Sequence, residues 1–96
     1  MPKILIYITK RGVWLFLFFG TDSNENRAHI HVGKKDMKNY CKIWLEPTIK
    51  VAKKGDLTDA QLKKVVEVTE KYRCELLKQW NKFKNGETIR ILTINE

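Results

Sequence analysis

Two cysteines, Cys41 and Cys74, are too few for a disulfide framework, and neither sits in a Cys-x-x-Cys or Cys/His spacing suited to structural zinc. Free thiols in a reducing compartment are therefore expected. Glycine-rich phosphate loops are missing, as are acidic clusters and any Ser or Cys nucleophile beside a histidine, which argues against kinases, triad hydrolases and two-metal nucleases. Long hydrophobic runs are also absent. The apolar stretches 4–8 and 13–19 are split by Lys10, Arg11 and Gly12, and neither approaches the roughly 18 residues of a membrane helix. No small-residue cleavage site follows them, so they read as two strands and a cytoplasmic protein without membrane contact is expected.

Basic charge, by contrast, is abundant. Nineteen Lys and Arg face eleven Asp and Glu, giving a net charge of +8 and a pI near 9.6. Such an excess favours acidic partners, nucleic acid among them. With 43% hydrophobic and 31% charged residues, the 96-residue chain has the balance of a folded domain and the length of one, so a single domain over 1–96 is expected.

Local patterning gives an α+β fold. Residues 3–9 and 13–19 form a hairpin around a Lys-Arg-Gly turn, and 20–26 (GTDSNEN) is a polar connection. Residues 28–32 and 40–45 alternate in polarity and form a second hairpin across a lysine-rich loop at 33–39. Pro47 ends that strand, and a short edge strand is expected near 49–51. The simplest result is an antiparallel four- to five-stranded sheet spanning about 3–51.

The period then changes. Thr58 and Gln61 have capping-box spacing, with Leu57 and Leu62 at the staple positions. From Leu62 through Val65, Val66, Thr69, Tyr72, Leu76, Trp80 and Phe83 the spacing is helical, which predicts one long amphipathic helix over about 58–84 packed on the sheet. Asn85-Gly86 stops it, and 88–94 reads as an extra C-terminal strand.

Three stretches, HIHV at 29–32, KIWLEP at 42–47 and LLKQWNKF at 76–83, together resemble a bacterial family of uncharacterised proteins, domain of unknown function four-one-six-zero. One or two prolines usually precede the His-x-His in that family, where this chain has Arg27-Ala28. The family has no established activity. Its genes often sit beside a neighbour in toxin–antitoxin-like pairs, so the resemblance implies a bacterial cytoplasmic protein that works with a cognate protein partner or RNA.

Strand alternation separates two faces of the second hairpin. Ala28, Ile30, Val32, Cys41, Ile43 and Leu45 form an apolar face suited to lie under the helix; the opposite face carries His29, His31, Tyr40, Lys42 and Trp44. Rings that stack on bases and cations that meet phosphate make this a candidate nucleic-acid surface for RNA or DNA, extended by Lys34, Lys35 and Lys38. Lys50, Lys53 and Lys54 would join it if strand pairing brings their loops together. Three other readings of the histidines stay open. They can be structural; they can act as acid and base on a phosphodiester, being roughly 6–7 Å apart along a strand, with Lys42 stabilising the charged intermediate; or they can bind metal. No metal or cofactor is expected, because His-x-His supplies two ligands and a third would have to come from Asp22, Glu25, Asp36 or a cysteine.

The run 13–19 is apolar on both faces, yet one helix covers only one face of a sheet. Trp14, Phe16 and Phe18, or their neighbours, together with Trp44, are therefore candidate partner-interface residues, and a homodimer or an obligate complex is expected. The leading expectation is a non-catalytic partner or nucleic-acid-binding component of a toxin–antitoxin-like pair. The alternative is a metal-independent ribonuclease using His29 and His31.

Overall fold

A computed structural model describes residues 3–18 and 26–95. The polar connection expected at 20–26 lies, apart from Asn26, outside the described residues. Among these residues eight elements follow one another: β1 (Lys3–Thr9), β2 (Gly12–Leu17), β3 (His29–Gly33), β4 (Cys41–Trp44), β5 (Lys50–Lys53), α1 (Asp59–Lys71), α2 (Arg73–Lys84) and β6 (Leu92–Asn95). One six-stranded sheet results, in the order β5-β4-β3-β2-β1-β6.

The first five strands are an antiparallel meander, as the alternation predicts. At the β1–β2 turn the Thr9 hydroxyl accepts from the Arg11 amide (3.1 Å) and donates to the Gly12 carbonyl (3.0 Å), closing the hairpin in two residues. The expected all-antiparallel sheet is corrected by β6, which pairs with β1 in parallel, Leu5 opposite Leu92 and Tyr7 opposite Ile94. A chain leaving β5 must cross the sheet through the helices before it returns, and it comes back running in the direction of β1. Strand structure also begins only at Leu92, later than the expected 88.

The single long helix is likewise corrected to two. Thr58 and Gln61 form the expected capping box, each side chain accepting from the other's backbone amide (3.2 and 2.9 Å). Helical geometry lapses at Tyr72 (φ −106°, ψ 17°). One turn earlier, the buried Thr69 hydroxyl donates to the Val65 carbonyl at 2.8 Å, a back-bond that bends helices. Arg73 then takes α2 to the end of β4: its Nε donates to the Leu45 carbonyl (2.8 Å) and its Nη2 to the Pro47 carbonyl (3.2 Å). From there α2 brings Trp80 and Phe83 onto Phe18, with ring centroids 5.1 and 5.0 Å away.

Register fixes what each face buries. Leu5, Tyr7, Trp14, Phe16, Ile30, Val32, Cys41 and Ile43 share one face, and all are buried with Val65, Val68, Leu76 and Trp80 from the helices. This is the face expected to lie under the helix. Trp14, Phe16 and Phe18 are 5%, 0% and 0% exposed, so they belong to the core and offer no partner surface. Their neighbours turn outward instead: Ile6, Ile8, Val13 and Leu15 occupy the helix-free face. Among the described residues, no helix is long and apolar enough to cross a membrane.

Candidate nucleic-acid interface

On β3 and β4, His29 lies opposite Trp44 and His31 opposite Lys42, so both histidines do share the face opposite Ile30 and Val32. Both are buried, His31 being 8% exposed, but their surroundings differ. His29 is 0% exposed, with its ring centroid 5.3 Å from that of His31, 5.4 Å from Trp44 and 4.9 Å from Trp80. Its Nδ1 is 2.9 Å from the Arg27 carbonyl; a carbonyl can only accept, so Nδ1 carries a proton and fixes the tautomer. A ring enclosed on these sides cannot reach a phosphodiester. The acid–base pairing of His29 with His31 is thereby corrected: the first histidine packs the foot of β3, where α2 closes over the sheet.

His31 opens instead onto a basic cleft of about 660 Å³ lined with Lys38, Asn39, Tyr40, Lys42, Lys53, Lys54, Gly55 and Asp56. Pairing of β4 with β5 makes it, because Lys42 stands opposite Lys53. The loops join above them. Asn39 donates through its backbone amide (3.0 Å) and its side-chain amide (3.2 Å) to the Asp56 carboxylate, and the Asp56 amide returns a bond to the Asn39 carbonyl (2.9 Å). These bonds, helped by Lys38, hold the Asp56 carboxyl below its usual value. The carboxylate is thus engaged in holding the loops together.

Two glycines permit this closeness. Tyr40 lies flat on Gly33, where an added Cβ would come within 2.6 Å of Tyr40 Cδ1. Gly55 has φ +61°, and a Cβ there would sit 2.5 Å from the Asn39 carbonyl oxygen. Burial, with the nearby Asp36 charge, raises the Tyr40 phenol above its usual value, so it stays a neutral hydrogen-bond donor at physiological pH.

The remaining candidates divide. Lys38, Tyr40, Lys42 and His31 are brought together; Lys34 and Lys35 are not in this cleft. Lys34 lines a separate cleft with Lys10, Arg11, Trp14 and Lys64, its ammonium donating to the Arg11 carbonyl at 3.3 Å and lying 4.9 Å from the Trp14 ring centre. Lys35 is exposed. Trp44 stands beside the cleft with two cations already on its ring, the Arg27 guanidinium at 4.3 Å and the Lys42 ammonium at 4.4 Å. Base stacking there would have to displace them. Lys54 is tied to Asp59 by a short ion pair, which lowers the Asp59 carboxyl below its usual value.

Asp22 and Glu25, named as third metal ligands, lie outside the described residues. Among those described, no three His, Cys, Asp or Glu side chains cluster closely enough to hold a metal. Cys41 is buried, which pushes its thiol up to about 11 and disfavours the thiolate that binds metal. The sequence reading did not commit to Lys53 and Lys54. Their signal was the lysine spacing on either side of the short β5, and it becomes decisive only once β5 is known to pair with β4.

A family model described as Domain of unknown function (DUF4160) matches residues 12–81, most of the chain. Neither the curated proteins nor the solved structures contain a match.

Proposed function

The chain belongs to that family of uncharacterised domains, and from this premise we propose that it is a small cytoplasmic, non-catalytic component of a toxin–antitoxin-like pair, acting with a protein partner and binding nucleic acid through the cleft between β3, β4 and β5. One observation carries the reading. The β4–β5 register puts Lys42 against Lys53 while the 34–40 loop adds Lys38 and Tyr40 above His31. Like charges directly opposed on neighbouring strands oppose folding. A polyanion relieves that repulsion, and its phosphates are the groups that such a cleft recognises.

Fluorescence anisotropy with labelled single-stranded and duplex RNA and DNA tests the reading. Wild-type protein is expected to bind, and Lys42→Glu/Lys53→Glu to lose binding while keeping its circular dichroism spectrum. Failure of wild type to bind any of these probes, or equal binding by the folded double variant, overturns it. Incubation of the same RNA with wild type and with His29→Ala and His31→Ala should show no difference in strand integrity, as a binder requires; cleavage by wild type alone would restore the ribonuclease reading.

A further inference from the structure

Among the described residues the two edge strands of the sheet, β5 and β6, are unlike. β5 exposes Lys50 and Lys53 at its ends, with Lys54 just beyond, the usual defence of an edge strand against pairing with another chain. β6, with the sequence LTIN, carries no charge at all. Exposed apolar side chains lie along this edge on both of its faces. Among the described residues the most exposed large hydrophobics are Ile8, Val13, Ile91 and Leu92. Ile8 is on β1 beside β6, Val13 pairs with Ile8, and Ile91 leads into β6.

Open clefts flank β6 as well. One, of about 210 Å³, lies between β1, α2 and the start of β6, walled by Ile4, Leu5, Leu76, Ile91 and Leu92. Gln79 lines it, and the side-chain oxygen of Gln79 is buried with no hydrogen-bond partner. A buried acceptor left unmet costs free energy until a donor arrives. Farther along, Tyr7, Val68, Tyr72 and Ile94 line a second cleft with Lys64, Glu67 and Lys71 at its rim.

We infer that a second copy of this chain docks on the β6 edge, pairing β6 with β6 of its partner about a two-fold axis and continuing the sheet through the interface. A two-fold axis makes the two β6 strands antiparallel, so the edge carbonyls and amides of each strand find the other's. Charge selects this edge over β5, and the mixed-sign rim of the second cleft suits a second copy. β5 lies five strand steps away, roughly 24 Å at the usual strand spacing, which exceeds the ~8 Å screening length at physiological salt. Joining two chains of net charge +8 at β6 therefore keeps their lysine-rich edges apart, whereas joining them at β5 would press like charges together. The rim of the second cleft carries both signs, so two copies can oppose Glu67 to Lys64 or Lys71. This inference deepens the partner half of the proposed function and is independent of its nucleic-acid half.

Sedimentation velocity on the full chain, from low to high micromolar, reads the outcome. Wild type should sediment as two chains. Leu92→Lys and Thr93→Lys place like charges at the two-fold axis, at positions already exposed, and should each give one chain with an unchanged circular dichroism spectrum. Ala52→Lys on β5 should leave the two-chain species intact. Should Leu92→Lys disturb folding, Thr93→Lys, which points to the helix-free face, decides alone. Wild type found as one chain throughout, a dimer indifferent to both β6 lysines, or a dimer lost with Ala52→Lys each overturns the inference. Oligonucleotide binding by the one-chain variants separates it from the preceding proposal, since their β4–β5 cleft is untouched.

Discussion

Gly55 carries a test of the whole β4–β5 cleft, because it allows the 34–40 loop to come down onto the β5–α1 connection. Two separate costs meet at Gly55→Ala. An L-residue at φ +61° sits in the left-handed region, a penalty of about 1–2 kcal/mol. The new Cβ would also lie 2.5 Å from the Asn39 carbonyl oxygen and 2.7 Å from the Tyr40 carbonyl carbon, backbone atoms that cannot swing aside, and such overpacking adds about 1–3 kcal/mol. Gly86 supplies the control. Its φ is +71°, but nothing lies within 4 Å of the added methyl, so Gly86→Ala meets the first cost alone. At roughly 5 °C per kcal/mol for a domain of this size, thermal unfolding should fall by about 5–10 °C for Gly86→Ala and by about 10–25 °C for Gly55→Ala. Differential scanning calorimetry measures both. Oligonucleotide affinity should drop only for Gly55→Ala, since that methyl pushes Lys38 and Tyr40 away from Lys53. Equal melting losses for the two variants would refute the close approach of the loops.

Three further outcomes follow from the same geometry. Lys38, Lys42 and Lys53 line the cleft, so the logarithm of affinity for a single strand should fall with the logarithm of salt at a slope of about −2 if each meets one phosphate; Lys53→Ala should make it shallower by about 0.7, and a flat dependence would exclude phosphate contact. His29→Ala should cost about 2–4 kcal/mol of stability in urea unfolding, because it empties a site packed by Trp44 and Trp80, whereas His31→Ala, at a ring 8% exposed on the cleft floor, should cost less and also weaken binding; the reverse order of stability losses would contradict the deeper burial of His29. The Asp56 carboxyl is lowered in the folded chain, so its hold on Asn39 is fully present above the ordinary value of 3.8 and fades as pH falls through the lower folded value. The Asn39 amide resonance should accordingly titrate with a midpoint below 3.8, and Asp56→Asn should abolish that titration.

Legibility in the sequence followed the range of the interaction concerned. Turn chemistry and strand alternation are local, so the two hairpins, the capping box at Thr58 and the apolar face of Ile30, Val32, Cys41 and Ile43 could be read directly. The helix break could not, because helical spacing continues unbroken from Val65 to Phe83 and the lapse at Tyr72 depends on how the Thr69 hydroxyl bonds and on where Arg73 is drawn by the Leu45 carbonyl. The direction of β6 was equally hidden: residues 88–94 alternate as any strand does, and nothing local says which neighbour they join. The histidines show the limit most plainly. Alternation put His29 and His31 on one face, which is where they are, but a face free of helix along most of its length is closed at its foot by Trp80, fifty-one residues away in the chain. One imidazole became packing and the other became the floor of the cleft.

The helix-free face thus changes character from one edge to the other, from Ile6, Ile8, Val13 and Leu15 on β1 and β2 to His31, Lys42 and Lys53 on β3 to β5. If two copies meet at β6, this gradient is mirrored, and the basic clefts end up at opposite ends of a twelve-stranded sheet, roughly 50 Å apart at the usual strand spacing. A short oligonucleotide can then occupy only one cleft, and each dimer should bind two of them independently. One strand long enough to reach both clefts gains the effective concentration of the second site, so affinity should rise in a step as oligonucleotide length passes the span. The one-chain variant Thr93→Lys should show the same affinity for short oligonucleotides and no step. A step retained in that variant would mean that length is read within a single chain, and would separate the dimer from nucleic-acid recognition.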